Sequence, residues 1–148
     1  MSDDLLDALG ASQQLIAAMI RIASDDRTAR VGAWNLRDIA AHLAASDREA
    51  FEPRIRAIAG GGQPHFGFYD NDDTDFSGVQ LEEALIEWGE TRGRLLDFVR
   101  GLSAEERGRV GVHERYGEIS VDRYLQIALD HDRGHLRDVE RLAGELAR

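Results

Sequence analysis

The amino-acid sequence predicts an all-α protein, a bundle of four helices. Four stretches carry apolar residues at helical spacing, no stretch alternates convincingly as a strand, and one long segment, 60–77, breaks the pattern between the second and third helical stretches. The 148 residues are about one domain's worth, and a single domain over 1–148 is expected. A domain of this size buries roughly 70% of its unfolded surface, so it needs no covalent staples.

The first helix is read over 3–24. Ser2 is placed to cap it, with Asp3 and Asp4 in the positive first turn. Leu5, Leu9, Leu15, Met19 and Ile22 recur at helical spacing, with one shift of phase near Gly10. Residues 24–32 read as a polar connection. The second helix is read from about Asn35 to Ala59. Asn35 is the expected cap, Asp38 completes a capping arrangement, and Trp34 lies just outside as a hydrophobic staple. Leu36, Ile39, Leu43, Ala50 and Ile58 mark its inner face, and Pro53 predicts a kink or break. In 60–77, glycine-rich, aromatic and acidic pieces follow one another, and loops of such length are usually functional or crossovers. Ser77 and Gln80 read as a capping box opening a third helix, carried to Gly101 by Leu81, Leu85, Trp88, Leu95, Phe98 and Val99. Ser103 and Glu106 suggest one capped short turn, and 108–119 suggests a turn or small hairpin. The fourth helix is read from Ser120 to about Leu146.

Net charge is −10, and every one of the 18 basic residues is arginine. That balance argues against nucleic acid, which is bound by clustered positive charge, and against anionic membranes. No apolar run approaches the roughly 18 residues of a membrane span. Met1-Ser2-Asp3-Asp4 is acidic where a secretory leader begins basic, so the cytoplasm is the expected location. With no cysteine, the chain has no thiolate ligand or cysteine nucleophile of its own.

The fourth helix carries the chemistry. Positions 121, 124, 128, 131, 135, 139 and 142 alternate in steps of three and four, giving the stripe Val, Tyr, Ala, His, His, Val, Leu. His131 and His135 therefore face the core. Four residues span about 6 Å of rise on one face, so two imidazoles can meet one ion. His42, in Ile39-Ala40-Ala41-His42-Leu43, is the candidate third ligand. Three nitrogens and an open position form a catalytic-type site. The same spacing also suits a stacked core pair with satisfied hydrogen bonds.

The run His113-Glu114-Arg115-Tyr116-Gly117-Glu118-Ile119-Ser120-Val121, followed by His131-Asp132-Arg133-Gly134-His135-Leu136, resembles the C-terminal signature of the DinB/YfiT-like superfamily. Trp34-Asn35-Leu36-Arg37-Asp38-Ile39-Ala40-Ala41-His42-Leu43 resembles its second-helix signature, and Thr91-Arg92-Gly93-Arg94-Leu95-Leu96 its third helix. The resemblance implies a four-helix bundle with a long crossover between helices two and three. It implies a nickel or zinc site on His42, His131 and His135, one ion per chain. It also implies a homodimer acting on a small molecule, as a metal-dependent hydrolase or as a transferase using a low-molecular-weight thiol cosubstrate. A non-catalytic binding module and a structural metal site are the alternatives.

For the remaining candidates, surface or packing roles stand beside the functional ones. Asn71, Asp73, Asp75 and Glu82 fall at calcium-loop positions, but Phe76 stands where that loop needs glycine. His65, Phe66, Phe68 and Tyr69 are candidates for a lid, and His113 and Tyr116 for the pocket rim. Asp130 and Asp132 are candidates to orient an imidazole, with surface charge the default for both. Arg92 and Arg94 are candidates to bind a carboxylate substrate, again with a surface role as the default.

Overall fold

A computed structural model describes residues 3–23, 30–31 and 34–146. The Ser2 cap and most of the 24–32 connection lie outside the described residues. Helix α1 spans Asp4–Ala23, and a two-residue pair follows, β1 (Arg30–Val31) against β2 (Trp34–Asn35). The second long rod is α2 (Leu36–Ser46), a π-helical turn (Asp47–Phe51) and α3 (Glu52–Ala59). The crossover then carries β3 (His65–Phe66) and leads to α4 (Leu81–Arg100). Short α5 (Ala104–Gly108), the hairpin β4 (Val110–His113) and β5 (Gly117–Ser120), and long α6 (Val121–Leu146) complete the chain. α1 packs chiefly on α6 and α2 on α4, so the four rods form the expected bundle.

Local chemistry explains most boundaries. Asn35 accepts from the Asp38 amide and the Asp38 carboxylate accepts from the Asn35 amide, a complete capping box. Ser103 and Glu106 form a second. Ser120 accepts from the Arg123 amide and starts α6. The capping box read at Ser77 does not form: the Ser77 amide donates to the Asp75 carboxylate, and α4 begins after Gln80 with no side-chain cap. Pro53 sits in the first turn of α3, and the break it predicts takes the form of the π-helical turn just before it.

The small three-stranded sheet was only half expected. The hairpin at 110–120 matches the sequence reading, but β3 from the crossover joins it parallel to β4, pairing His65 with Val112 and Phe66 with His113. Gly111 makes this possible, because a Cβ there would lie 2.8 Å from the Pro64 carbonyl oxygen. The crossover is thereby stitched to the hairpin, and a wall is built beside α6.

Among the described residues two large apolar clusters fill the bundle, beside a small third of Ala41, Ala45 and Phe76. One joins Leu6, Leu9, Ile55, Val99 and Leu125; the other joins Ile16, Ile20, Ile39, Leu43, Trp88 and Val139. α1 corrects the sequence expectation about apolar runs, since within its 20 residues a window of 18 reaches a mean hydropathy of 1.2, enough by length and composition to cross a membrane. Its large apolar residues Leu6, Leu9, Ile16 and Ile20 pack inside the bundle, as in a core helix.

Between the clusters lies a buried charged knot. Arg92 is 2% exposed, Asp47 1% and Asp132 0%. Arg92 donates to both Asp47 oxygens at 2.8 and 3.0 Å, to both Asp132 oxygens at 2.7 and 3.2 Å, and to the Leu9 carbonyl at 3.0 Å. Ser12 donates to Asp132 at 2.5 Å. The surface defaults for Arg92 and Asp132 are therefore overturned: each is taken out of water because the other neutralises it. Burial alone would depress the Arg92 pKa, but Asp47 and Asp132 override it and hold the guanidinium charged. Arg94 keeps its surface place, exposed beside Glu52.

Candidate metal centre

α6 presents His131 and His135 on the stripe read from the sequence, flanked by buried Tyr124, Ala128, Val139 and Leu142. α2 brings His42 to them from across the bundle. His42 Nε2 lies 3.1 Å from His131 Nε2 and 3.0 Å from His135 Nε2, and all three ligand atoms lie within 4.8 Å of one another. Nitrogens held about 2.0–2.1 Å from one ion, at angles from about 90° to tetrahedral, lie roughly 3.0–3.4 Å apart. The two separations from His42 fit, and the three histidines together could hold a metal ion. Among the described residues no carboxylate joins the cluster.

The tautomer of His42 is set by its neighbour. Asn71 Oδ1 lies 2.5 Å from His42 Nδ1, while Asn71 Nδ2 points to the His42 carbonyl oxygen, which can only accept. Nδ1 therefore carries the proton, and Nε2 offers its lone pair to the centre. The chain of donors continues outward: Asn71 Nδ2 donates to the Tyr69 hydroxyl at 3.0 Å, which donates to Glu49 at 2.5 Å. Trp34 packs on the His42 ring at 4.6 Å and Phe51 on the His131 ring at 5.7 Å.

Burial keeps the three imidazoles neutral. It lowers the His42 pKa, against a partly opposing bond to Asn71. It pushes His131 down to about 4, assisted by His42 and Arg92, and His135 to about 3, assisted by His131 and His42. Neutral imidazoles are what a cation requires.

The centre opens on a cavity of about 560 Å³. Its far wall is the stitched crossover and hairpin. Phe68 and Tyr69 line it, and His113 and Tyr116 stand on the hairpin side. Phe66 packs behind, against Tyr124 at 6.3 Å, and His65 is exposed and does not line the cavity, so the four lid candidates divide. The Glu114 carboxylate accepts the Phe68 amide at 2.9 Å, and the Arg115 guanidinium lies 3.8 Å from the Phe68 ring centre. The Arg115 amide donates to His113 Nδ1 at 3.0 Å, leaving Nε2 to carry the ring proton; burial, Arg54 and Arg115 lower the His113 pKa.

Several expectations change. Asn71 is buried against His42 and is no calcium ligand, and Asp70 and Asp75 accept backbone amides within the loop. Asp132 turns to Arg92, not to an imidazole, and Asp130 lies at the cavity edge, accepting from Gln126. Sequence reasoning missed Asn71 as the partner of His42, and it missed Arg54. No sequence signal ties Asn71 to a residue 29 positions earlier.

The solved structure of YfiT from Bacillus subtilis, described as a probable metal-dependent hydrolase with an unusual four-helix bundle topology, matches this fold with a TM-score of 0.77 and 19% identity. The match covers 99% of this chain and 90% of that one. No curated protein matches the sequence. The family model of the DinB superfamily matches residues 8–139, and the chain belongs to that superfamily.

Proposed function

We propose that the protein is a metal-dependent hydrolase of a small molecule, with His42, His131 and His135 as the ligands of one zinc or nickel ion. One observation carries this reading: His42 Nε2 lies 3.0–3.1 Å from the Nε2 atoms of both His131 and His135, three neutral imidazoles within 4.8 Å of one another at the floor of a cavity of about 560 Å³. A structural site would be closed by a fourth side chain, whereas this cluster faces open space, as catalytic sites do. The description of YfiT as a probable metal-dependent hydrolase supports the same reading. Imidazole ligands suit zinc and nickel alike.

A divalent ion held there would supply Lewis acidity and would lower the pKa of water to give a nucleophile near neutral pH. The chain's own residues do the rest. Asn71 holds the His42 proton on Nδ1. Trp34 and Phe51 shield the imidazoles from bulk water. His113 offers an Nε2–H on the cavity wall, suited to a substrate carbonyl oxygen.

Elemental analysis of untagged protein should find close to one divalent ion per chain, and His131→Ala should abolish it. Hydrolysis of simple esters or amides should then disappear with chelator and return with zinc or nickel. A wild type that stays empty after incubation with both metals overturns the reading. Turnover only of thiol–electrophile pairs would reassign the nucleophile to a thiol cosubstrate. Bound metal without turnover of either class would make the protein a binding module.

We also propose a homodimer through α1 and α4. Leu15 is 47% exposed, Ile22 82% and Ile86 49%, so not every apolar residue of α1 fills the core. Light scattering tests this: a mass that stays at 16.5 kDa as protein and salt are raised rules the dimer out.

A further inference from the structure

Arg54 lines the cavity, half-buried, with no acidic partner among the described residues. Its Nη1 makes both of its hydrogen bonds, to the Gly67 carbonyl at 3.0 Å and to the Tyr124 hydroxyl at 3.1 Å. The guanidinium carbon lies 5.1 Å from the Phe66 ring centre and 6.0 Å from that of Tyr69. These contacts fix the plane of the group without neutralising its charge. The Nε–Nη2 edge, the side-on fork that grips a carboxylate with two parallel bonds, has no protein acceptor among the described residues.

We propose that Arg54 anchors the substrate, and that the substrate is a carboxylate on an aromatic or apolar body. This rests on the hydrolase reading for the word substrate, but the binding claim stands on the cavity alone. Phe68, Tyr69, Tyr116 and Ile127 give the body an apolar, largely aromatic surface. The charge available selects a monoanion. Arg54 and the exposed Arg123 are the cavity's arginines, while Asp70, Asp72 and Asp130 also line it, so a dianion such as a phosphate ester would be poorly compensated. The cavity is polarised: Arg54 acts on His113 and Tyr124 at the hairpin side, and Asp72 acts on His42 at the other. A ligand seated by its carboxylate on Arg54 extends across the cavity toward the histidines, and the bond to be cleaved lies away from the anchor. Arg54 is thus a specificity-determining residue, separate from the metal ligands.

The test uses NMR titration of labelled full-length protein, as purified and again after chelation, with three probe pairs: benzoate and benzamide, phenylacetate and phenylacetamide, hippurate and hippuramide. At least one carboxylate should bind roughly 10- to 100-fold tighter than its amide, the effect expected of a charge-assisted fork. The preference should survive chelation, vanish in Arg54→Gln, and persist in part in Arg54→Lys, which keeps charge without the fork. Arg54→Gln should keep its metal content, so failure of the metal site and failure of the anchor read out separately. Should Arg54→Gln not fold, Arg54→Lys alone decides, with a severalfold loss of carboxylate affinity and none for the amide expected. Absence of any carboxylate preference, a preference unchanged by substitution of Arg54, one that disappears with the metal, or tighter binding of phenyl phosphate than of benzoate would each overturn the proposal.

Discussion

Replacing Arg92 with Met should destabilise the protein severely, and in a way that packing alone would not produce. Arg92 has five N–H donors, and its bonds to Asp47, Asp132 and the Leu9 carbonyl engage all of its nitrogens. Methionine fills much of the volume but leaves two carboxylates, at 1% and 0% exposure, with no cation. Removing one partner of a buried ion pair costs about 3–5 kcal/mol, and with two carboxylates stranded the upper end applies. Against a total stability of about 5–15 kcal/mol this is a large fraction. For a domain of this length it lowers the melting temperature by roughly 10–20 °C.

The assay is urea unfolding by circular dichroism in chelator, so that metal binding adds nothing to the native state. The signature is the dependence on pH. Burial already raises the Asp47 pKa against the pull of Arg92, and without that cation it rises further. The folded variant then binds more protons than its unfolded chain, so its deficit relative to wild type narrows as pH falls from neutral toward the ordinary Asp range. Loss of Arg92 also relieves part of the depression of the His131 pKa, which narrows the deficit in the same direction, so repair by asparagine is what isolates the carboxylates. Adding Asp47→Asn and Asp132→Asn should restore most of the loss. A deficit below about 1 kcal/mol, or one independent of pH and not repaired by the asparagines, would refute the view that charge pairing holds this knot.

Asn71→Leu should leave the fold intact but weaken metal affinity about 10- to 100-fold, because His42 loses the acceptor that fixes its tautomer; chelator competition measures this, and unchanged affinity would deny Asn71 that role. In metal-free protein, His131 and His135 should titrate near 4 and 3 by NMR. Since both folded values lie below the unfolded 6.5, the unfolded chain takes up protons first, and stability should fall as pH drops from about 6.5 toward those values. Ring titrations above 6 for both would contradict the burial argument. Gly111→Ala should cost about 1–3 kcal/mol in thermal unfolding, since its Cβ meets the Pro64 oxygen at 2.8 Å and that oxygen is held by the Val112 amide; an unaffected melting temperature would mean that the β3–β4 seam contributes little.

The difference between what sequence shows and what it hides is a matter of range. Helix existence, the Asn35 and Ser103 caps and the histidine stripe all rest on neighbours within one or two turns, and these are recovered at their positions. The failed cap at Ser77 is also local, yet it turns on competition: Asp75 claims the Ser77 amide, and motif spacing does not reveal a rival acceptor. The charged knot was legible in a form that single-helix reading passes over. Arg92 lies on the stripe of Leu85, Trp88, Leu95 and Val99; Asp132 lies on that of Leu125, Leu129 and Val139; Asp47 follows Ile39 and Leu43. One charge on an apolar stripe reads as a fault in the pattern. Opposite charges on the stripes of different helices, each too costly to bury alone, imply one another. The partners of Asn71 and Arg54 had no such trace, because the crossover that carries Asn71, Gly67 and Tyr69 has no periodicity from which to read a facing side. Its course is set by β3 pairing beside Gly111, a contact 47 residues distant in the chain for His65 and Val112. The three histidines that converge were therefore visible in the sequence, while the groups that orient them and that would choose a substrate emerged only once the crossover was placed.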